Sequence, residues 1–263
     1  MAARPMLLVL HYDGGAFAGW QRQPRARTVQ AEIEAALERL VGRRAAVIGS
    51  GRTDAGVHAV GQAAATTVPE RWEPDTLARA LNALLPSDVW VASACRMMRG
   101  FNPRRHATER TYCYRIGLDP GARSPFRRRW EWSLGGMGAP VDEALLHAGA
   151  AALRGTHGFR ALSSAGQEKA HYCCTVLEAQ WQRRADAIGW ELWITADRFL
   201  HRMVRFLVGI MVDVARGRRP LGDLVRLLDA TDNRGASPPA PPDGLFLVGV
   251  RYPARWYVRN DAT

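Results

Sequence analysis

Apolar residues run unbroken from Met6 to Leu10 and reach Tyr12 across His11, with Asp13-Gly14-Gly15 directly behind them. That pattern predicts a buried strand closed by a turn. Past Thr28 the period changes: Val29, Ile33, Ala36, Leu37, Leu40 and Val41 recur at helical spacing as far as Gly42. A helix capped by Thr28 and stopped by Gly42 is expected. The same reading gives a short strand over 45–48, a glycine-rich loop over 49–56, a strand over 57–68, a helix over 75–85 and a strand over 89–97. Further on it gives a strand over 111–118, a helix over 141–153, strands over 174–182 and 190–196, and helices over 201–216 and 221–229. A Pro-rich loop, 237–243, leads into a last strand over 245–252. Strands at hairpin-like spacings with helices interspersed point to an α+β chain whose sheet is mainly antiparallel. The Phe101-Asn102-Pro103 break places a boundary near Arg105, giving two domains, 1–105 and 106–263.

Composition narrows the partners. With 263 residues, 47% of them hydrophobic, the chain can build one large or two modest cores. Basic residues number 36 against 25 acidic, a net charge of +11, which suits nucleic acid, polyphosphate or an anionic membrane surface. No segment approaches the roughly 20 apolar residues that cross a bilayer. The apolar run near the N-terminus carries no small-residue cleavage signal, so the cytoplasm is the expected compartment. Cys95, Cys113, Cys173 and Cys174 show no C-x-x-C spacing and are too few for a disulfide framework. Cys173 and Cys174 with His171 and His201 offer zinc-ligand chemistry, but adjacent thiols on a strand point to opposite faces. No metal is expected.

Three stretches carry chemistry. In Gly49-Ser50-Gly51-Arg52-Thr53-Asp54-Ala55-Gly56-Val57-His58-Ala59-Val60-Gly61-Gln62, glycines around one carboxylate let the backbone bend sharply and a planar substrate come close. Arg52 can hold a phosphate there or favour the ionised acid. The plain alternative is a turn with an Asx hydrogen bond, and Asp54 with His58 opens a metal or acid–base reading that no second acid–His pair supports. The second stretch is the helix from His201, apolar on nearly every side except Arg205, Gly209 and Asp213 along one stripe. A buried guanidinium needs a partner; Asp213 lies two turns off, roughly 12 Å along the axis, which leaves another acid such as Asp197, or Asp54. The third stretch is Thr111-Tyr112-Cys113-Tyr114-Arg115, after Arg104, Arg105, His106 and Arg110. Alternation puts Tyr112 and Tyr114 on one face, as core or as a stacking platform for a base.

Together these residues resemble the TruA family of tRNA pseudouridine synthases over nearly the whole chain. The resemblance rests on Tyr12-Asp13-Gly14 with Phe17, Gly19-Trp20-Gln21-Arg22-Gln23, and Gly51-Arg52-Thr53-Asp54-Ala55-Gly56-Val57-His58. It continues through Ala107-Thr108, Tyr112-Cys113-Tyr114, Phe199-Leu200-His201-Arg202-Met203-Val204-Arg205 and Gly244-Leu245-Phe246-Leu247. It implies two α/β domains whose mainly antiparallel sheets join into one extended sheet with the active cleft between them. It also implies a homodimer acting on uridines at positions 38 to 40 of the tRNA anticodon arm. Asp54 matches the family's catalytic aspartate, Tyr112 the tyrosine against the target base, Arg205 the arginine paired with the aspartate, and Arg52 an arginine that helps extrude the nucleotide. Leu245 falls to the substrate site, and Arg22, Arg104, Arg110 and Arg202 to RNA contact. One departure follows Phe101: the family has His or Asp and then Ala before Arg, where this chain has Asn102-Pro103 before Arg104.

Isomerising uridine to pseudouridine exchanges an N1–sugar bond for a C5–sugar bond with no net redox change, so no cofactor is required. The chain accordingly has neither a P-loop nor a dinucleotide fingerprint. The reaction needs a carboxylate near sugar or base, as other glycosidic chemistry does. Asp54 can attack the sugar, add to the ring or deprotonate the sugar, and the sequence leaves all three open. A stem uridine must be flipped out at a cost of a few kcal/mol, which stacking on Tyr112, about 1–3 kcal/mol per base, offsets in large part. Two rivals stand beside this reading. A non-catalytic RNA-binding module has no use for Asp54 amid glycines or for a buried Arg205. A metal-assisted hydrolase built on Asp54 and His58 predicts inactivation by a chelator.

Overall fold

The computed structural model describes residues 3–135, 140–164 and 172–258; His171 and Lys169 lie outside them. The chain forms two compact units, Met1–Thr108 with Leu247–Thr263, and Glu109–Phe246. Both are α+β with mainly antiparallel strand pairing.

In the first unit β1 (Ala3–Tyr12) leads through a 3-10 turn, Gly14–Ala16, to α1 (Val29–Val41). Asp13 accepts the Gly15 N–H at the head of that turn. Gly42, at φ 73°, stops α1 in the left-handed conformation that glycine tolerates. The strand expected over 45–48 shrinks to β2 (Ile48–Gly49), because side chains of α1 take the preceding backbone groups. Glu34 accepts the Val47 N–H at 3.1 Å, and Gln30 donates to the Val47 carbonyl at 2.9 Å. Next come β3 (His58–Pro69), α2 (Pro74–Asn82) and β4 (Val89–Arg96). The helix ends at Asn82 rather than at 85, where the Asn82 amide pairs with both backbone groups of Val91. The strands lie in the order β4-β1-β3, with β2 on β3. Alternation along β1 sends Leu8, Leu10 and Tyr12 to one face and Leu7 to the other. Leu7 packs there with Ala63, Ala65, Met97 and Phe101 and with Val250, Tyr252 and Trp256 from the C-terminal segment.

The second unit opens with β5 (Glu109–Gly117) and a short parallel neighbour, β6 (Trp132–Ser133). It continues with α3 (Glu143–Ala152), β7 (Gly155–His157), β8 (Cys174–Arg183) and β9 (Gly189–Ala196). The order is β5-β9-β8-β7. Two-residue β6 and three-residue β7 carry too little pattern to be read in advance. The helix α4 (Met203–Ala215) begins two residues later than expected, since Arg202 stands at φ 59° and cannot start a right-handed turn. As predicted it is buried nearly all round, and α5 (Leu221–Leu228) follows. Its polar stripe seats the Pro-rich loop: the Arg205 Nε–H donates to the Ala240 carbonyl at 2.6 Å, the Ala240 N–H donates back to the Arg205 carbonyl at 2.9 Å, and a Cβ on Gly209 would stand 2.2 Å from the Pro238 oxygen. The last strand, β10 (Leu245–Arg251), passes from this unit into the first at Leu247. There a Cβ on Gly61 would fall 1.9 Å from the Val248 carbonyl, so only glycine allows the approach.

Candidate active site

Asp54 sits half-buried on the loop between β2 and β3. The loop is held at several points. Trp20 N–H donates to the Thr53 carbonyl at 3.0 Å, Val57 N–H to the Asp54 carbonyl at 3.2 Å, and Gly56 N–H to Phe17 at 3.4 Å. Gly19 lies against it at φ +101°, with space for no side chain: a Cβ would meet the Thr53 oxygen at 2.7 Å. Below it, Tyr12, Thr53, Ser50 and Gln62 form a buried hydrogen-bonded cluster. Arg52, by contrast, is exposed, where a guanidinium can meet a phosphate at little desolvation cost. His58 is buried, and its Nδ1 accepts the Gly14 N–H at 3.0 Å. That bond gives the ring a structural duty and takes one nitrogen out of any ligand set. Among the described residues no three His, Cys, Asp or Glu side chains gather as a metal would require. Cys173, just ahead of β8, is exposed, and Cys174, its first residue, is buried.

The second unit holds Tyr112 on β5, half-buried, edge-on to Phe199 with ring centroids 5.0 Å apart. Tyr114, on the same face, is wholly buried and donates its hydroxyl to the Pro241 carbonyl at 2.8 Å; burial raises its pKa well above the usual phenol value. So one tyrosine of the pair is core and the other keeps an open side. Arg205 is half-buried. Asp213 turns to Arg218 at 3.2 Å, and Asp197 accepts the Thr175 N–H at 2.9 Å. Arg110 reaches the Asp197 carbonyl at 2.7 Å. Arg202 is exposed at its left-handed corner, and Leu245 is buried at the start of β10.

In the first unit, Arg22 is exposed and 3.2 Å from Glu34. The Asn102-Pro103 departure makes a turn of its own. Asn102 accepts the backbone N–H groups of Arg104 and Arg105, both at 3.0 Å, and His106 stacks on Trp256 at 3.8 Å. Arg104 therefore projects from a fixed turn. Phe199 beside Tyr112, and the buried cluster under Asp54, were not singled out from the sequence as site residues; a fully buried glutamine announces itself only once burial is known.

A carboxylate on a braced bend, in an α+β chain of net charge +11, suits an enzyme that works on a polyanion. Comparison with known proteins makes this specific. The family described as tRNA pseudouridine synthase matches residues 8–98 and 150–253, and the chain belongs to that family. Similar proteins named tRNA pseudouridine synthase A occur in Myxococcus xanthus, 38% identical over 93% of this chain and 91% of the relative, and in Methylobacterium nodulans, 40% identical over 94% and 95%. Another, in Cupriavidus necator, is 38% identical over 94% of this chain and 90% of its own length. The matched segments carry Arg22, Arg52, Asp54, Arg202, Arg205 and Leu245, while Arg104, Arg110 and Tyr112 lie between them.

Proposed function

We propose that this chain isomerises uridine to pseudouridine at positions 38, 39 and/or 40 of the tRNA anticodon arm, with Asp54 as the carboxylate that opens the N1–C1′ bond. The observation that carries the reading is Asp54 on its braced glycine-lined bend, inside a segment that matches the family. The detached uracil turns and its C5 bonds to C1′; the proton leaves C5 and N1 regains one, so nothing is gained or lost overall. Tyr112 stacks on the extruded base, with Leu245 beside it, Arg205 holds the Asp54 carboxylate, and Arg52 helps draw the nucleotide out. Arg22, Arg104, Arg110 and Arg202 contact RNA. No metal or cofactor takes part. The enzyme works as a homodimer in the cytoplasm. Supporting this reading are the family membership and the excess of basic charge.

Asp54→Asn tests it. The variant is expected to bind tRNA like the wild type and to release no tritium from tRNA labelled at C5 of uracil. Release near the wild-type rate would remove Asp54 from the chemistry.

A further inference from the structure

Gln62 lies in β3, eight residues beyond the carboxylate, and is fully buried. Its amide is used at both ends. Oε1 accepts the Ser50 hydroxyl at 2.8 Å, while Nε2 donates to the Gly51 carbonyl at 3.0 Å and to the Tyr12 hydroxyl at 3.4 Å. A carbonyl oxygen only accepts, so the Gly51 contact fixes which end of the amide carries nitrogen. Tyr12 in turn bonds the Thr53 hydroxyl at 2.8 Å. One amide thus reaches Ser50 and Gly51 directly and Thr53 through a phenol, and the next residue is Asp54. Burial pushes the Tyr12 phenol up to about 12, which keeps its proton in place across the working pH range. For filling space alone an amide is a poor choice, since burying it costs free energy that an apolar side chain of similar size avoids. What the amide adds is direction: a satisfied buried network specifies one geometry.

We propose that Gln62 is a positioning residue for Asp54, its buried amide fixing through Ser50, Gly51 and the Tyr12–Thr53 pair the bend that aims the carboxylate at the nucleoside. The proposal rests on Asp54 being the reacting carboxylate. Small errors in aim matter in catalysis, where a shift of about 1 Å can lower a rate on the order of a hundredfold.

Three variants, Gln62→Met, Tyr12→Phe and Asp54→Asn, are compared with the wild type by single-turnover pseudouridine formation at saturating tRNA, tRNA affinity and melting temperature. Gln62→Met keeps the volume and removes the hydrogen bonds. It is expected to slow the single-turnover rate per folded molecule by roughly ten- to a hundredfold while tRNA affinity stays near that of the wild type. Tyr12→Phe, which removes only the bridge, is expected to slow it less. A lower melting temperature with an unchanged rate, or weakened binding with an unchanged rate, overturns the proposal. If Gln62→Met does not fold, Tyr12→Phe decides by the same outcomes. An active Asp54→Asn overturns the underlying reading instead and takes the proposal with it, so the two failures are told apart.

Discussion

Gly19 stands at φ +101° beneath the Thr53 carbonyl, where an added Cβ would come to 2.7 Å. Both the backbone conformation and the space exclude a side chain, and the atoms it would strike belong to the loop that carries Asp54. Gly19→Ala is expected to destabilise the protein by about 1–3 kcal/mol, read as a lower urea midpoint with an unchanged slope. It should also slow turnover of the molecules that remain folded, because the strain is relieved by moving residues 53–55. At this scale the sequence was informative about identity and uninformative about partners. Asp54 could be singled out because glycines surround it, and Arg205 because it interrupts an apolar helix. That Arg205 Nε would bond the Ala240 carbonyl, or that Gln62 would reach three residues across a turn, depends on chain segments far apart in sequence.

The longer elements were legible from periodicity, and their deviations have local causes. The strand expected over 45–48 lost its backbone groups to Glu34 and Gln30 of α1, and α4 starts late because of the left-handed Arg202. The loop after β5 is fixed by charge instead of pattern. Asp119 receives two hydrogen bonds from Arg127, at 2.7 and 2.9 Å, and Arg127 also reaches buried Glu131 at 2.8 Å, which Arg184 holds from its other side. The Arg127 guanidinium keeps the Asp119 carboxyl below the usual carboxylate range. A carboxylate with a depressed folded-state pKa stabilises the fold above its unfolded value, about pH 4, and loses that contribution as pH falls through the folded value. The melting temperature should therefore drop on acidification below about pH 4. Asp119→Asn should lower it at neutral pH and flatten that acid slope; an unaltered slope would mean the pair contributes nothing to the pH response. The effect is expected to be small, since both side chains keep some solvent and water screens them.

For the molecule as a whole, the net charge of +11 bears on how strongly tRNA is held. Binding that neutralises about four phosphates should weaken roughly a hundredfold between 50 and 200 mM salt. The slope of log affinity against log salt, measured by filter binding, checks this; affinity indifferent to salt would point away from phosphate contacts. The sequence by itself determined the α+β class, the long helices and strands, the excess of positive charge and the Asp54 signature. All of these are local: a hydrophobic period, a run of glycines or a residue count needs no knowledge of distant neighbours. Only the tertiary structure decided that the C-terminal segment from Leu247 packs with the first unit, that Tyr114 is core while Tyr112 stays partly open, and that a buried glutamine braces the Asp54 loop. Burial and hydrogen-bond partnership arise when segments remote along the chain meet, and that meeting assigns each polar side chain to water, to structure or to chemistry.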